Sequence, residues 1–395
     1  MRHRKRHTRR PGRARAAMAS ASGAVGRAGH GGKARGLSAR VFALAPEGLR
    51  WPRGVLFLDL ALVPLIVFWA VGHQVYLPSA LFGLLFTLLA DPGGGLGQRV
   101  SRSAAFALLG AGLTAAAFAL GGVAWYWLTL VVFAVTLTAG LAAVFGARRF
   151  AAALLLDVWF VIALALAFGL HHSGRVSSLT WAQVLAWTGG AALWIVMGLV
   201  EWLIHGRGER PQPIAEIPGD TSRKRLTPPL AVFALIRALT IAGTVALAFG
   251  LELSHGYWMP IAAVVAMKPS LRQAALVSAQ RLTGALIGAV AAALLLLVPT
   301  ALSGFRLVVT ERGLEVVALV LFMHGVVIRF WNYALYSAAI AAGALILVGL
   351  PQPSDYAAEG YRVLWTLCGA GLALLVLLLA GLLTRRATGA PHPPS

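Results

Sequence analysis

The chain has 395 residues, 59% hydrophobic and 12% charged, with a mean hydropathy of +0.78. Soluble domains carry about 25% charged residues, so an ordinary water-soluble fold is excluded and a polytopic membrane protein is indicated. The net charge of +21 would suggest nucleic acid in a soluble chain, but the excess sits in loops and the N-terminal tail. Membrane topology accounts for it there, and no nucleic-acid partner is expected.

Residues 1–53 begin with an Arg-, Gly- and Ala-rich stretch without apolar periodicity. Such a segment is expected to stay disordered, a basic cytoplasmic tail able to meet anionic lipid. Its end, with Leu37, Val41, Phe42, Leu44, Trp51 and Arg53, reads as an interfacial lead-in. No apolar stretch of signal-peptide length follows the first basic cluster, and Met18 is an alternative start.

A bilayer core of roughly 30 Å takes about 20 apolar residues per helix. Scanning at that length predicts spans near 54–72, 76–90, 103–121, 123–145, 151–170 and 181–204. A polar, Pro-rich, basic cytoplasmic linker follows at 206–228, and then spans near 229–251, 257–268, 282–300, 314–328, 330–350 and 361–383. The expected fold is thus an all-α integral membrane protein of about 12 transmembrane helices. They form a first six-helix unit at 54–205 and a second at 229–384, ahead of a short C-terminal tail at 385–395.

Charge then sets the orientation. With the N-terminus inside, 29 Lys and Arg fall in inside segments and four outside, so both termini are expected in the cytoplasm. The two units also resemble each other. Tyr76-Leu77-Pro78 matches Trp258-Met259-Pro260 at an offset of 182, and Arg149-Phe150 matches Arg329-Phe330 at 180. Gly190-Ala191 matches Gly369-Ala370 at 179. Six spans per unit make the repeats parallel, an arrangement that places a pathway between the halves. The second and eighth spans are short, and both start beside a proline, Pro78 or Pro260. Breakers, Asp91-Pro92 and Lys268-Pro269, end them. Short segments at matching places in two repeats point to a transport site.

The second half carries His255-Gly-Tyr257-Trp258-Met-Pro260, Lys268-Pro269 and Arg281-Leu-Thr-Gly284-Ala-Leu-Ile-Gly288. With Asn332-Tyr-Ala-Leu and Arg362-Val-Leu-Trp-Thr-Leu-Cys-Gly369 further on, this region resembles the fusaric-acid-resistance (FUSC) family. The resemblance implies an inner-membrane protein of the aromatic acid exporter type. The six-span unit is also similar to that of plant aluminium-activated malate channels, whose anion path lies between paired units.

Ionisable groups inside spans are functional suspects by default. Arg237 lies about eight residues into the seventh span, where the resemblance also implies an arginine; its repeat partner is Asp59. Two readings stay open and overlap: an Asp59–Arg237 pair locking the halves, or an anion site in which Arg237 offers a planar fork to a carboxylate. Asp157, inside the fifth span, is either a proton-coupling carboxylate or a partner for Arg148 or Arg149. His255 and His324 are further proton candidates. Tyr257 and Trp258 belong to an outer aromatic belt or stack on an aryl substrate, and Arg281 draws anions to the inner mouth or marks topology. Gly284-x-x-x-Gly288 is a close-packing motif.

The single cysteine, Cys368, excludes a disulfide framework. Phosphate-loop, Gly-x-Ser-x-Gly and His-Glu-x-x-His motifs are missing from the sequence, so no enzyme, metal or cofactor is expected. The reading is secondary efflux of small organic anions, aromatic carboxylates foremost. An anion channel on the same scaffold and a non-transport membrane scaffold are the alternatives.

Overall fold

The computed structural model describes residues 48–91, 95–172, 180–205, 226–267, 271–300, 304–350 and 356–388. The tail, most of the linker, Pro269 and the last residues of the C-terminal tail lie outside the described residues.

Twelve α-helices are present among the described residues, and no strand is. They are α1 Trp51–Val71, α2 Leu77–Ala90, α3 Leu96–Ala119, α4 Trp125–Leu141, α5 Ala147–His172 and α6 Thr180–His205 in the first half. The second half holds α7 Pro228–Gly250, α8 Trp258–Ala266, α9 Leu271–Thr300, α10 Gly304–Ile328, α11 Tyr333–Gly349 and α12 Tyr356–Thr388. Each expected span has its helix, but several helices run past the expected bounds. Helix α3 starts at Leu96 rather than 103, α9 at Leu271 rather than 282, and α10 at Gly304 rather than 314. Charged residues lower hydropathy without breaking a helix, so Arg99, Arg272, Arg281 and Arg312 sit within helices rather than in loops. Among the described residues seven helices are long and apolar enough to cross a membrane by length and composition: α1, α3, α4 with its 3-10 extension, α5, α6, α7 and α12.

Local signals set the ends. Helix α1 stops at Gly72, whose φ of 72° is left-handed, and the amides of Gly72 and His73 close on the Trp69 and Phe68 carbonyls. Pro78 stands in the first turn of α2, where a missing N–H costs nothing. Asn332 caps α11, its side-chain oxygen accepting from the Leu335 amide at 2.9 Å.

Helix α2 is buried from Leu77 through Leu89. A helix that is apolar all round needs neighbours on every side, and α1, α3, α5 and α6 supply them. Its 14 residues span about 21 Å, short for a bilayer but sufficient for a helix encased in protein. Phe82 and Phe86 of α2 pack with Trp159, which stacks on Trp187 at 4.5 Å between centroids. The indoles are not left unpaired: Trp159 donates to Thr114 at 2.8 Å and Trp187 to the Ala107 carbonyl at 3.1 Å.

The pairings α1–α2, α2–α6, α3–α6, α3–α5 and α4–α5 have counterparts six helices later in α7–α8, α8–α12, α9–α12, α9–α11 and α10–α11. Between the halves, α4 packs on α7 and α1 on α10. Both short helices also reach the opposite half, α8 through α5 and α2 through Phe82, 5.8 Å from Phe322 of α10.

Small residues also bring α9 close to α11. A Cβ on Gly284 or Gly288 of α9 would run into the Ala334 or Ala338 carbonyl of α11, so the close-packing motif has its partner helix. Gly284→Val is expected to lower stability by about 1–3 kcal/mol or more, since backbone cannot move aside. Gly243→Ala, facing open space, is the matched control and should be neutral or slightly stabilising. Thermal unfolding in detergent measures both.

Candidate functional site

The seam between α4 and α7 is close because its contact residues are small. Gly140 of α4 faces Ala234 of α7, where an added Cβ would lie 2.9 Å from the alanine's own. One turn further, this approach carries Arg237 across α4 to α5. There Arg237 Nη2 meets Asp157 Oδ2 at 2.6 Å, and both side chains are fully buried.

Thr136 of α4 completes the group. Its hydroxyl donates to Asp157 Oδ1 at 2.9 Å, and its carbonyl accepts from Arg237 Nη1 at 3.3 Å. The guanidinium Nε is buried without a hydrogen-bond partner. Ala238 and Ile241 of α7, Val132 of α4 and Phe160 of α5, all buried, make these elements apolar around the pair. The arrangement ties α7 of the second half to α4 and α5 of the first.

This geometry corrects two sequence expectations. Arg237 pairs with Asp157, not Asp59, because α7 packs on α4 while α1 packs on α10. Asp59 is exposed on α1. Asp157 does not pair with Arg148 or Arg149; the Arg149 guanidinium instead lies 5.8 Å from the Phe145 ring.

The other expected site residues lie elsewhere. A Cβ on Gly256, just ahead of α8, would lie 3.2 Å from Ala248 of α7. Ala248 is eleven residues beyond Arg237, about 16 Å along the helix. Tyr257 and Trp258 therefore sit at a different depth from Arg237, and a single-ring acid does not touch all three at once. Trp258 is buried with its indole N–H unpartnered, whereas Trp125, Tyr126, Trp127 and Trp181 are exposed as a belt requires. His255 is half-buried in the preceding loop with a φ of 58°, its ring 6.2 Å from Tyr257. His324, on α10, is half-buried, with Nδ1 2.8 Å from the Val320 carbonyl and its ring 6.0 Å from Trp51. Pro260 stands in the first turn of α8. Arg281 falls on α9, but its side chain lies outside the described residues.

One cluster had no place in the sequence reading. Asp91, taken there as a helix breaker, is a buried carboxylate at the end of α2. Arg99 Nη2 lies 2.7 Å from its Oδ2, the Trp194 indole donates to the same oxygen at 3.0 Å, and Arg99 Nη1 reaches Glu201 at 3.3 Å. The eight-residue spacing of Asp91 and Arg99 across a Pro-Gly-Gly-Gly sequence was the available signal. Arg329, from the second half, donates to the Leu89 carbonyl at 3.4 Å and so also closes this end of α2.

No curated protein and no solved structure matches the chain. A family does: residues 241–376 match the family described as fusaric acid resistance protein-like. The match starts four residues after Arg237, so that arginine and Asp157 lie outside it, while Tyr257, Trp258, Arg281 and His324 lie within. The chain is a multi-pass helical membrane protein whose second half, from the middle of α7 into α12, matches the fusaric acid resistance protein-like family.

Proposed function

We propose that this protein is a secondary transporter of the bacterial inner membrane that exports small organic anions, with aromatic carboxylates as the substrate class. The observation that carries the reading is the Arg237–Asp157 pair, buried where the halves meet, with a guanidinium Nε left unbonded. Buried charges are expensive, and charged residues inside membrane helices mark substrate and ion paths. A substrate carboxylate competing with Asp157 for the guanidinium fork would bind at the contact between the halves, where relative movement alternates access.

In this reading Tyr257 and Trp258 form a separate aromatic station nearer the outer end, and Arg281 gathers anions at the inner mouth. Both termini are cytoplasmic, following the bias of Lys and Arg. The membrane potential helps drive export: one negative charge moving out across an inside-negative 100 mV gains about 2.3 kcal/mol.

The test is labelled benzoate flux in proteoliposomes at clamped potential, with and without a pH gradient. Arg237→Gln is expected to cut flux by about tenfold or more, because the shorter, neutral amide loses both the reach and the charge of the guanidinium fork. Full flux in that variant overturns the anion site. Flux that follows only the potential, without saturation, assigns a channel instead of a carrier.

A further inference from the structure

The seam between α1 and α10 holds a second buried carboxylate, which the anion site does not use. Glu315 of α10 is 7% exposed. Its Oε2 accepts from the Trp69 indole of α1 and from Arg312 Nη1, the latter at 3.3 Å. The Arg312 guanidinium stacks 5.3 Å from the Trp69 ring, and the Gln74 amide, turned with its oxygen toward Arg312, accepts from Nη1 at 3.0 Å. This group stands where α1 stops, the outer end in the topology proposed above.

Among the described residues, the charges facing Glu315 are few. On its own helix they are Arg312 and, one turn back, Glu311. From α1 the nearest acid is Asp59, exposed and ten residues away from Trp69. His73, in the turn after α1, is exposed, its ring tilted against Tyr76 at 5.9 Å between centroids. Helix α11 carries no ionisable group beyond Tyr333 and Tyr336 at its start, and the second half of α9 carries none.

Two buried acids thus stand at the two seams between the halves, and they differ in what protonation would leave behind. Neutralising Asp157 strands Arg237, whose side chain is 0% exposed. Neutralising Glu315 leaves Arg312, whose side chain is 30% exposed and still held by Gln74 and the Trp69 ring. Arg237 would keep only the Thr136 carbonyl, so the second cation alone keeps water when its acid is lost.

We propose that Glu315, rather than Asp157, is the carboxylate that binds the proton coupled to transport; the proposal rests on the transport reading above. A proton from the outer aqueous phase bonds to a carboxylate oxygen, the side chain loses its negative charge, and its ion pair with Arg312 dissolves. Across the α1–α10 contact the bond from the Trp69 indole to Glu315 loses its charge assistance, while Arg312 stays on Trp69 and Gln74. Because α1 belongs to one half and α10 to the other, the protonation state biases how the halves sit. Once the halves have moved so that the carboxyl opens to the inner side, release of the same proton there restores the carboxylate and the contact.

The first measurement is the infrared difference spectrum of the full chain in nanodiscs between about pH 9 and about pH 6, where exposed carboxylates with ordinary pKa values near 4 stay ionised. A protonated-carboxyl band should appear in the wild type and in Asp157→Asn, and be missing in Glu315→Gln. Glu315→Asp, which retains a carboxyl, should shift the band rather than remove it, and serves if the glutamine variant fails to fold. A band unchanged in both Glu315 variants overturns the assignment.

The second measurement uses labelled benzoate in proteoliposomes. In Glu315→Gln, uphill movement driven by a pH gradient should fall by about tenfold or more, while benzoate exchange at equal pH persists. Uphill movement intact in that variant overturns the coupling role even if the band is assigned. If wild-type protein moves no benzoate, the transport reading fails with that probe, and the infrared band still decides whether Glu315 binds the proton.

Discussion

Asp157→Ala is expected to destabilise the protein by about 3–5 kcal/mol, among the largest effects of any single side chain, because it leaves Arg237 charged and unpaired. The alanine also orphans the Thr136 hydroxyl, which donates to Asp157 Oδ1. Both halves share the loss, since Arg237 belongs to α7, Thr136 to α4 and Asp157 to α5. Removing both charges together reverses the sign of the argument. Arg237→Met with Asp157→Leu fills similar volume with apolar atoms and is expected to recover most of the stability, as buried pairs often do when replaced whole. Unfolding of the four proteins in the double-mutant cycle, followed by circular dichroism in detergent, gives the coupling energy directly.

The same cycle separates structure from function. If the pair only locks the halves, the apolar double variant regains flux along with stability. Under the anion-site reading it regains stability and stays inactive, because no fork remains for a carboxylate. A stable double variant with wild-type benzoate flux would refute the central claim about Arg237. A coupling energy near zero would instead mean that the two groups do not meet as described.

The helical fold was legible because hydrophobic length is a strong signal, and all twelve expected spans have helices where hydropathy places them. Helix ends were less so. Arg99, Arg281 and Arg312 depress a hydropathy window, yet each is a good helix former, and the helices continue through them. The partner of Arg237 was hidden for another reason. Asp59 and Asp157 are both mid-span acids in the sequence, and the choice depends on which helix α7 packs against, a contact across 80 residues for Asp157. Glu315 shows the same limit. Its spacing of three from Arg312 was visible, but the indole that joins it is 246 residues away on α1. Gly284 and Gly288, by contrast, announced their role through spacing alone, and α11 meets them as such spacing requires.

Gly190→Val and Gly369→Val should be the most disruptive glycine replacements, and should cost similar amounts. On α6, a Cβ at Gly190 would run into the Ala80 carbonyl of α2; on α12, a Cβ at Gly369 would run into the Met259 carbonyl of α8. Both members of the second contact lie 179 residues after those of the first. In each case a long helix presses without a side chain against the backbone of a short, buried helix, so the obstacle is a peptide group and cannot rotate away. Overpacking costs about 1–3 kcal/mol when side chains can adjust, and more when they cannot. Gly189→Val and Gly371→Val supply controls within two positions, since both glycines face open space, and they should leave the melting temperature nearly unchanged. An internal duplication requires the two contact sites to respond alike. If Gly369→Val is tolerated while Gly190→Val unfolds the protein, the short helices are not held in the same way, and a pathway related by a pseudo-axis between them loses its structural basis. If both fail and both controls hold, α2 and α8 are held alike, each by a glycine contact from the long helix of its own half.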